Sequence, residues 1–114
     1  MVGQLSEVFV LKTNDRKNGV HALLSKFELD DYVRKKVAIK ANFNSADPFP
    51  ASTHIDTLRA IVKTLKGASA DSITLAERSG MGDTKKVFEQ MGVTALSKEL
   101  GFDAIVLDDI GKDG

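Results

Sequence analysis

Apolar residues in this chain follow two rhythms. Four short unbroken runs, Val8-Phe9-Val10-Leu11, Val37-Ala38-Ile39, Ile73-Thr74-Leu75-Ala76 and Ala104-Ile105-Val106-Leu107, predict strands. Continuous rather than alternating apolarity is expected where both faces of a parallel sheet are covered. Between these runs the apolar positions recur every three or four residues. After Asp15, the spacing of Val20, Leu23, Leu24 and Phe27 predicts a helix. Gly19 is its weak point, costing about 1 kcal/mol against alanine. Thr53-His54-Ile55-Asp56 reads as a capping box with Asp in place of Glu and Thr53 as the N-cap. The stripe Ile55, Leu58, Val62 and Leu65 follows, and Gly67 suits the stop. A short helix from Asp83 or Thr84 would bury Val87, Phe88 and Met91 and end at Gly92. Another turns on Leu96 and Leu100 and ends at Gly101.

The order β-α-β-α-β-α-α-β predicts a three-layer α/β fold with a mostly parallel sheet of about four strands and right-handed crossovers. One hundred and fourteen residues fit one domain. Two explanations of so small a sheet stand side by side. The chain is a minimal α/β unit, or it is part of a larger domain whose exposed edge or apolar face needs a cover, most simply a second copy. The polar, Gly-containing tail from Asp108 to Gly114 is expected to fray.

Charge and composition narrow the partners. Sixteen basic and sixteen acidic side chains cancel, which argues against a nucleic-acid or anionic-membrane binder; those carry a basic excess or patch. The absence of cysteine excludes disulfides, thiolate nucleophiles and any iron–sulfur cluster ligated by this chain, and fits a cytoplasmic protein. The first residues lack the basic and apolar regions of a signal peptide. No run approaches the roughly 20 apolar residues of a membrane span.

Candidate chemistry gathers in two loops that follow the second and third strand runs, 40–54 and 77–84. In a parallel sheet such loops share the edge at which ligands bind. Lys40 can pair with a phosphate or carboxylate, and Asn42 can fix the loop or donate to a ligand; both can equally be surface and turn residues. Asp47-Pro48-Phe49-Pro50 predicts a stiff, extended loop. Ser52, Thr53 and His54 lead into a helix N-terminus, which favours anions. His54 is a candidate acid/base or metal ligand, or a surface imidazole. Glu77, Arg78, Ser79, Gly80, Gly82 and Asp83 make a loop that can cradle an anion, with Arg78 gripping it, or an ordinary glycine turn capped by Asp83. It matches neither the dinucleotide nor the Walker pattern. Asp47, Glu77, Asp83, Asp108 and Asp109 would put carboxylates on the same edge, where a hard cation could sit.

The strings Ile39-Lys40-Ala41-Asn42, Asp47 to His54, Glu77 to Thr84 and Val106-Leu107-Asp108-Asp109 resemble the family called domain of unknown function DUF362, over roughly two-thirds of the chain. The resemblance implies the N-terminal part of a longer protein, some of whose relatives carry ferredoxin-like cysteine segments. It also marks Ala41 as a departure, since proline usually stands there. The expected function is binding of a small molecule or anion, as part of a larger enzyme or redox-associated protein. The site would comprise Lys40, Asn42, Ser52, Thr53, His54, Glu77, Arg78, Ser79, Gly80, Gly82 and Asp83. The alternative is a non-catalytic module that self-associates or docks on a partner.

Overall fold

The computed structural model describes residue 3 and residues 5–109. Helix α1 spans Arg16–Leu24, and a short 3-10 turn follows at Asp30–Tyr32. Then come β1 (Lys36–Ile39), α2 (Ile55–Gly67), β2 (Ser72–Glu77), α3 (Thr84–Gln90), α4 (Val93–Leu100), β3 (Asp103–Val106) and a 3-10 turn at Leu107–Asp109. The strands form one parallel sheet in the order β1-β2-β3, with Val37 opposite Ile73 and Leu75 opposite Ala104. The α/β fold with a parallel sheet is as the apolar rhythm predicts.

Local chemistry explains most element boundaries. The Asp15 carboxylate accepts the Asn18 N–H and starts α1. Asp83 accepts the N–H groups of Lys85 and Lys86 and starts α3. Gly92 (φ 84°) and Gly101 (φ 73°) supply the left-handed residues that close α3 and α4. Helix α2 ends at Gly67, but the left-handed residue after it is Ser69 (φ 64°).

Three expectations need correction. The sheet has three strands among the described residues, because Val8–Leu11 pairs with none of them and stands largely in solvent. The helices cover one sheet face, giving two layers rather than three. Consecutive strand order with right-handed crossovers places both connections on the same side. Burial agrees: Val37, Ile39, Ile73, Leu75, Ala104 and Val106 join the core, whereas Ala38, Asp103 and Ile105 on the opposite face are exposed. Finally, Gly19 is no mere weak point. A Cβ there would stand 2.6 Å from the Thr13 methyl, so glycine permits close contact between α1 and the segment before it.

The core lies between the sheet and α2, α3 and α4. Leu58, Val62 and Leu65 of α2 meet Ile73 and Leu75, while Phe43, Val87, Phe88, Val93, Leu96 and Phe102 fill the space beside them. Phe43 and Phe88 meet edge to face with centroids 6.2 Å apart. Phe43 belongs to the loop after β1, so the core itself holds the base of that loop.

Candidate functional site

Parallel pairing of β1 with β2 brings the 40–54 and 77–84 loops to one edge of the sheet, as the element order predicts. Hydrogen bonds then lock them together. Glu77, the last residue of β2, is buried (4% exposed) and directs its carboxylate between the loops. The carboxylate accepts from Lys40 Nζ at 3.0 and 3.2 Å, from the Phe43 N–H at 3.0 Å and from the Arg78 N–H at 2.9 Å. Its charge is therefore neutralised and its lone pairs are occupied.

Asn44 makes a second clasp. Its Oδ1 accepts the Gly80 N–H at 2.8 Å, and its backbone carbonyl accepts the Met81 N–H at 3.0 Å. A Cβ on Gly80 would lie 2.5 Å from that Oδ1, so loop-to-loop approach accounts for glycine at this position. Ser79 donates its hydroxyl to the Phe43 carbonyl and its N–H to Thr84 Oγ1. Thr84 is fully buried and donates in turn to Asp108 at 2.7 Å. Asp108 is thus tied to the rim, while 110–114 of the tail expected to fray lie outside the described residues.

The other limb of the first loop folds back on its own base. Thr53 donates its N–H to the Asn42 carbonyl and accepts the Asn42 N–H on its hydroxyl. Asn42 also donates to the Ala51 carbonyl, and Ser52 to that of Ser45. Thr53 is therefore not the N-cap of α2, because its hydroxyl is committed to Asn42. His54 caps instead, its Nδ1 accepting the Asp56 N–H at 3.0 Å. An acceptor Nδ1 places the neutral ring's proton on Nε2. The Asp47–Pro50 segment closes as a turn, with the Ala51 N–H on the Pro48 carbonyl and a cis Phe49–Pro50 bond. It is not the extended spacer its prolines suggest. Half-exposed Phe49 stands edge-on to His54 at 5.6 Å and beneath the Arg16 guanidinium at 4.8 Å.

The predicted residues thus divide. Lys40, Glu77, Arg78, Ser79 and Gly80 come together with Asn42, Thr53 and Ser52 in one hydrogen-bonded frame. Asp83 serves as a helix cap and Gly82 adopts φ 104° in the turn. His54 sits with Phe49 and Arg16, joined to the 77–84 loop by no hydrogen bond or ion pair among the described residues. No group of three His, Asp or Glu side chains among the described residues is placed to hold a metal. Sequence reasoning passed over Asn44, Phe43 and Thr84. A polar residue two positions after Asn42 and a threonine at a helix start carry no signal until the partner loop is known.

The side chain of Arg78 remains the most open cation of the rim. It is 79% exposed and reaches Asp108 only at 3.6 Å. Lys40 is also largely exposed but is already bonded to Glu77. No helix of the described residues is long and apolar enough to cross a membrane.

No curated protein and no solved structure matches this chain. Residues 37–113 match the model of the family described as "Domain of unknown function (DUF362)". That stretch runs from β1 past the end of β3 and contains both interlocked loops, and the chain belongs to this DUF362 family.

Proposed function

We propose that the rim built by the 40–54 and 77–84 loops binds a small anionic ligand, and that the chain contributes this site to a larger cytoplasmic enzyme or redox-associated protein. One observation carries the reading. The loops are fixed at the carboxyl edge of parallel strands while the Arg78 head group projects into solvent with, among the described residues, a single loose ion pair. A guanidinium on a rigid frame forms bidentate bonds to phosphate or carboxylate with little ordering cost. Lys40, bonded to the Glu77 carboxylate, adds positive charge to the rim. His54 would serve any proton transfer, since its Nδ1 is engaged and its Nε2 carries the proton.

The test is native mass spectrometry of the full chain with inorganic phosphate. A retained phosphate adduct that disappears in Arg78→Ala, with melting unchanged, supports the site. Equal retention in wild type, Arg78→Ala and His54→Ala overturns it.

A second reading, self-association, rests on a different feature. Among the described residues no helix covers the sheet face bearing Ala38, Thr74, Ala76 and Ile105, and Val8, Val10 and Leu11 are exposed elsewhere on the chain. Exposed apolar surface, where it is contiguous, marks contact sites. The same native spectra decide it. A dimer that reverts to 12.3 kDa in Ile105→Asp supports assembly, and a wild-type monomer at that mass refutes it.

A further inference from the structure

A sizeable opening lies away from the rim. Between α1 and the face of α2 turned toward it runs an open cavity of about 780 Å³. That is within the roughly 300–1,000 Å³ of small-molecule sites. Lys17 and His21 contribute from α1, and Arg59 and Lys63 from α2, over a floor that includes Leu29 and Ala60.

The seam is open for a sequence reason. From α1 only Lys17, Asn18 and His21 line it, so no apolar side chain of that helix fills the gap. On the α2 side Ala60, Thr64 and Gly67 are small, and a Cβ added at Gly67 would meet nothing within 4 Å.

Charge selects the occupant. The lining carries three cations, Lys17, Arg59 and Lys63, against one carboxylate, Asp56. Arg59 is engaged by Glu99, whose carboxyl is held below its ordinary range by that guanidinium and by nearby Lys63. Lys17 and Lys63 form no ion pair among the described residues. Two ammonium groups, Lys63 near Glu99 and Lys17 near Asp15 but neither in contact with that carboxylate, therefore flank a mainly apolar lining, with the imidazole of His21 beside them.

We infer that this cavity is a second binding site, separate from the rim, for an amphipathic anion: a flat apolar body bearing one carboxylate, sulfonate or phosphate. The apolar body lies against Leu29 and Ala60 and displaces water from them. The anionic head is held by Lys17 and Lys63. Small hydrated anions, lacking an apolar part, belong at the rim instead.

The test uses 8-anilinonaphthalene-1-sulfonate as the probe, titrated into the full chain and followed by its fluorescence. Saturable one-to-one binding is expected. Its Kd should rise at least tenfold in Gly67→Leu, which fills the cavity, and in Lys17→Glu/Lys63→Glu, which reverses its charge, with circular dichroism and melting retained in both. Arg78→Ala should leave the Kd unchanged, so failure here and failure at the rim are distinguishable. Non-saturable binding, a Kd unmoved by both cavity variants, or binding abolished only by Ile105→Asp on the bare sheet face would overturn the inference.

Discussion

Replacing Glu77 with alanine tests how the rim is held. The carboxylate is buried and takes four donor contacts, two of them from the backbone N–H groups of Phe43 and Arg78. Glu77→Ala leaves those two groups without an acceptor, the Phe43 N–H buried and the Arg78 N–H part-buried. Each unsatisfied N–H costs about 1–3 kcal/mol, so the variant should lose about 2–6 kcal/mol. Lys40→Met removes a side chain that is 73% exposed, and solvent screening limits its loss to about 1 kcal/mol. Glu77→Gln keeps one oxygen for one N–H and should fall between, at about 2 kcal/mol. Urea unfolding followed by circular dichroism gives all three values, provided the slope with denaturant is unchanged. A Glu77→Ala loss below about 1 kcal/mol would refute the reasoning. So would a Lys40→Met loss equal to it, because the ion pair rather than the backbone donors would then hold the loops.

Four further outcomes follow from the geometry. Gly80→Ala should cost about 1–2 kcal/mol by pushing Asn44 aside, and its effect should be less than additive with Asn44→Ala in a double-mutant cycle. Thr84→Val, which keeps the shape but loses the bonds to Ser79 and Asp108, should lose about 1–3 kcal/mol, while Thr84→Ser stays near wild type in chemical denaturation. His54→Ala should remove the α2 cap at about 1 kcal/mol and His54→Asn should restore most of it, read from the melting temperature; equal melting of the two variants would contradict capping by the imidazole. The Asp15 carboxyl is held below its ordinary range by its hydrogen bonds to Asn18. Its contribution to α1 is therefore present above the unfolded pKa and disappears as the pH falls through the lowered folded value. Amide exchange at Asn18 and Gly19 should accelerate over that acid interval, and an unchanged profile in Asp15→Ala would contradict the assignment.

Features that depend on neighbours in sequence were legible. Asp83 caps α3, the stops at Gly92 and Gly101 are left-handed, and three apolar runs are strands. Features that need a distant partner were not. Val8–Leu11 has strand composition, but among the described residues it joins neither open edge of the sheet, and without a partner's ladder it is no strand. Alternation was concealed because alanines face outward at Ala38 and Ala76, so a one-sided sheet reads as an unbroken apolar run. The cap shifted by one residue because Asn42, eleven positions earlier, claims the Thr53 hydroxyl. At the site, parallel strand order sufficed to bring the two loops to one edge. Their mutual saturation was invisible, since glycine at position 80 serves equally well for a ligand or for a neighbouring side chain.

The Asn44 clasp has a consequence for how this protein can be altered. One side chain and one carbonyl of the first loop determine the path of the second through residues 80 and 81, so neither loop can be redesigned in isolation. A library that varies positions 79–82 alone would return mostly misassembled variants. Joint variation with positions 42–45 keeps the two segments in step and is the practical route to a new specificity on this scaffold.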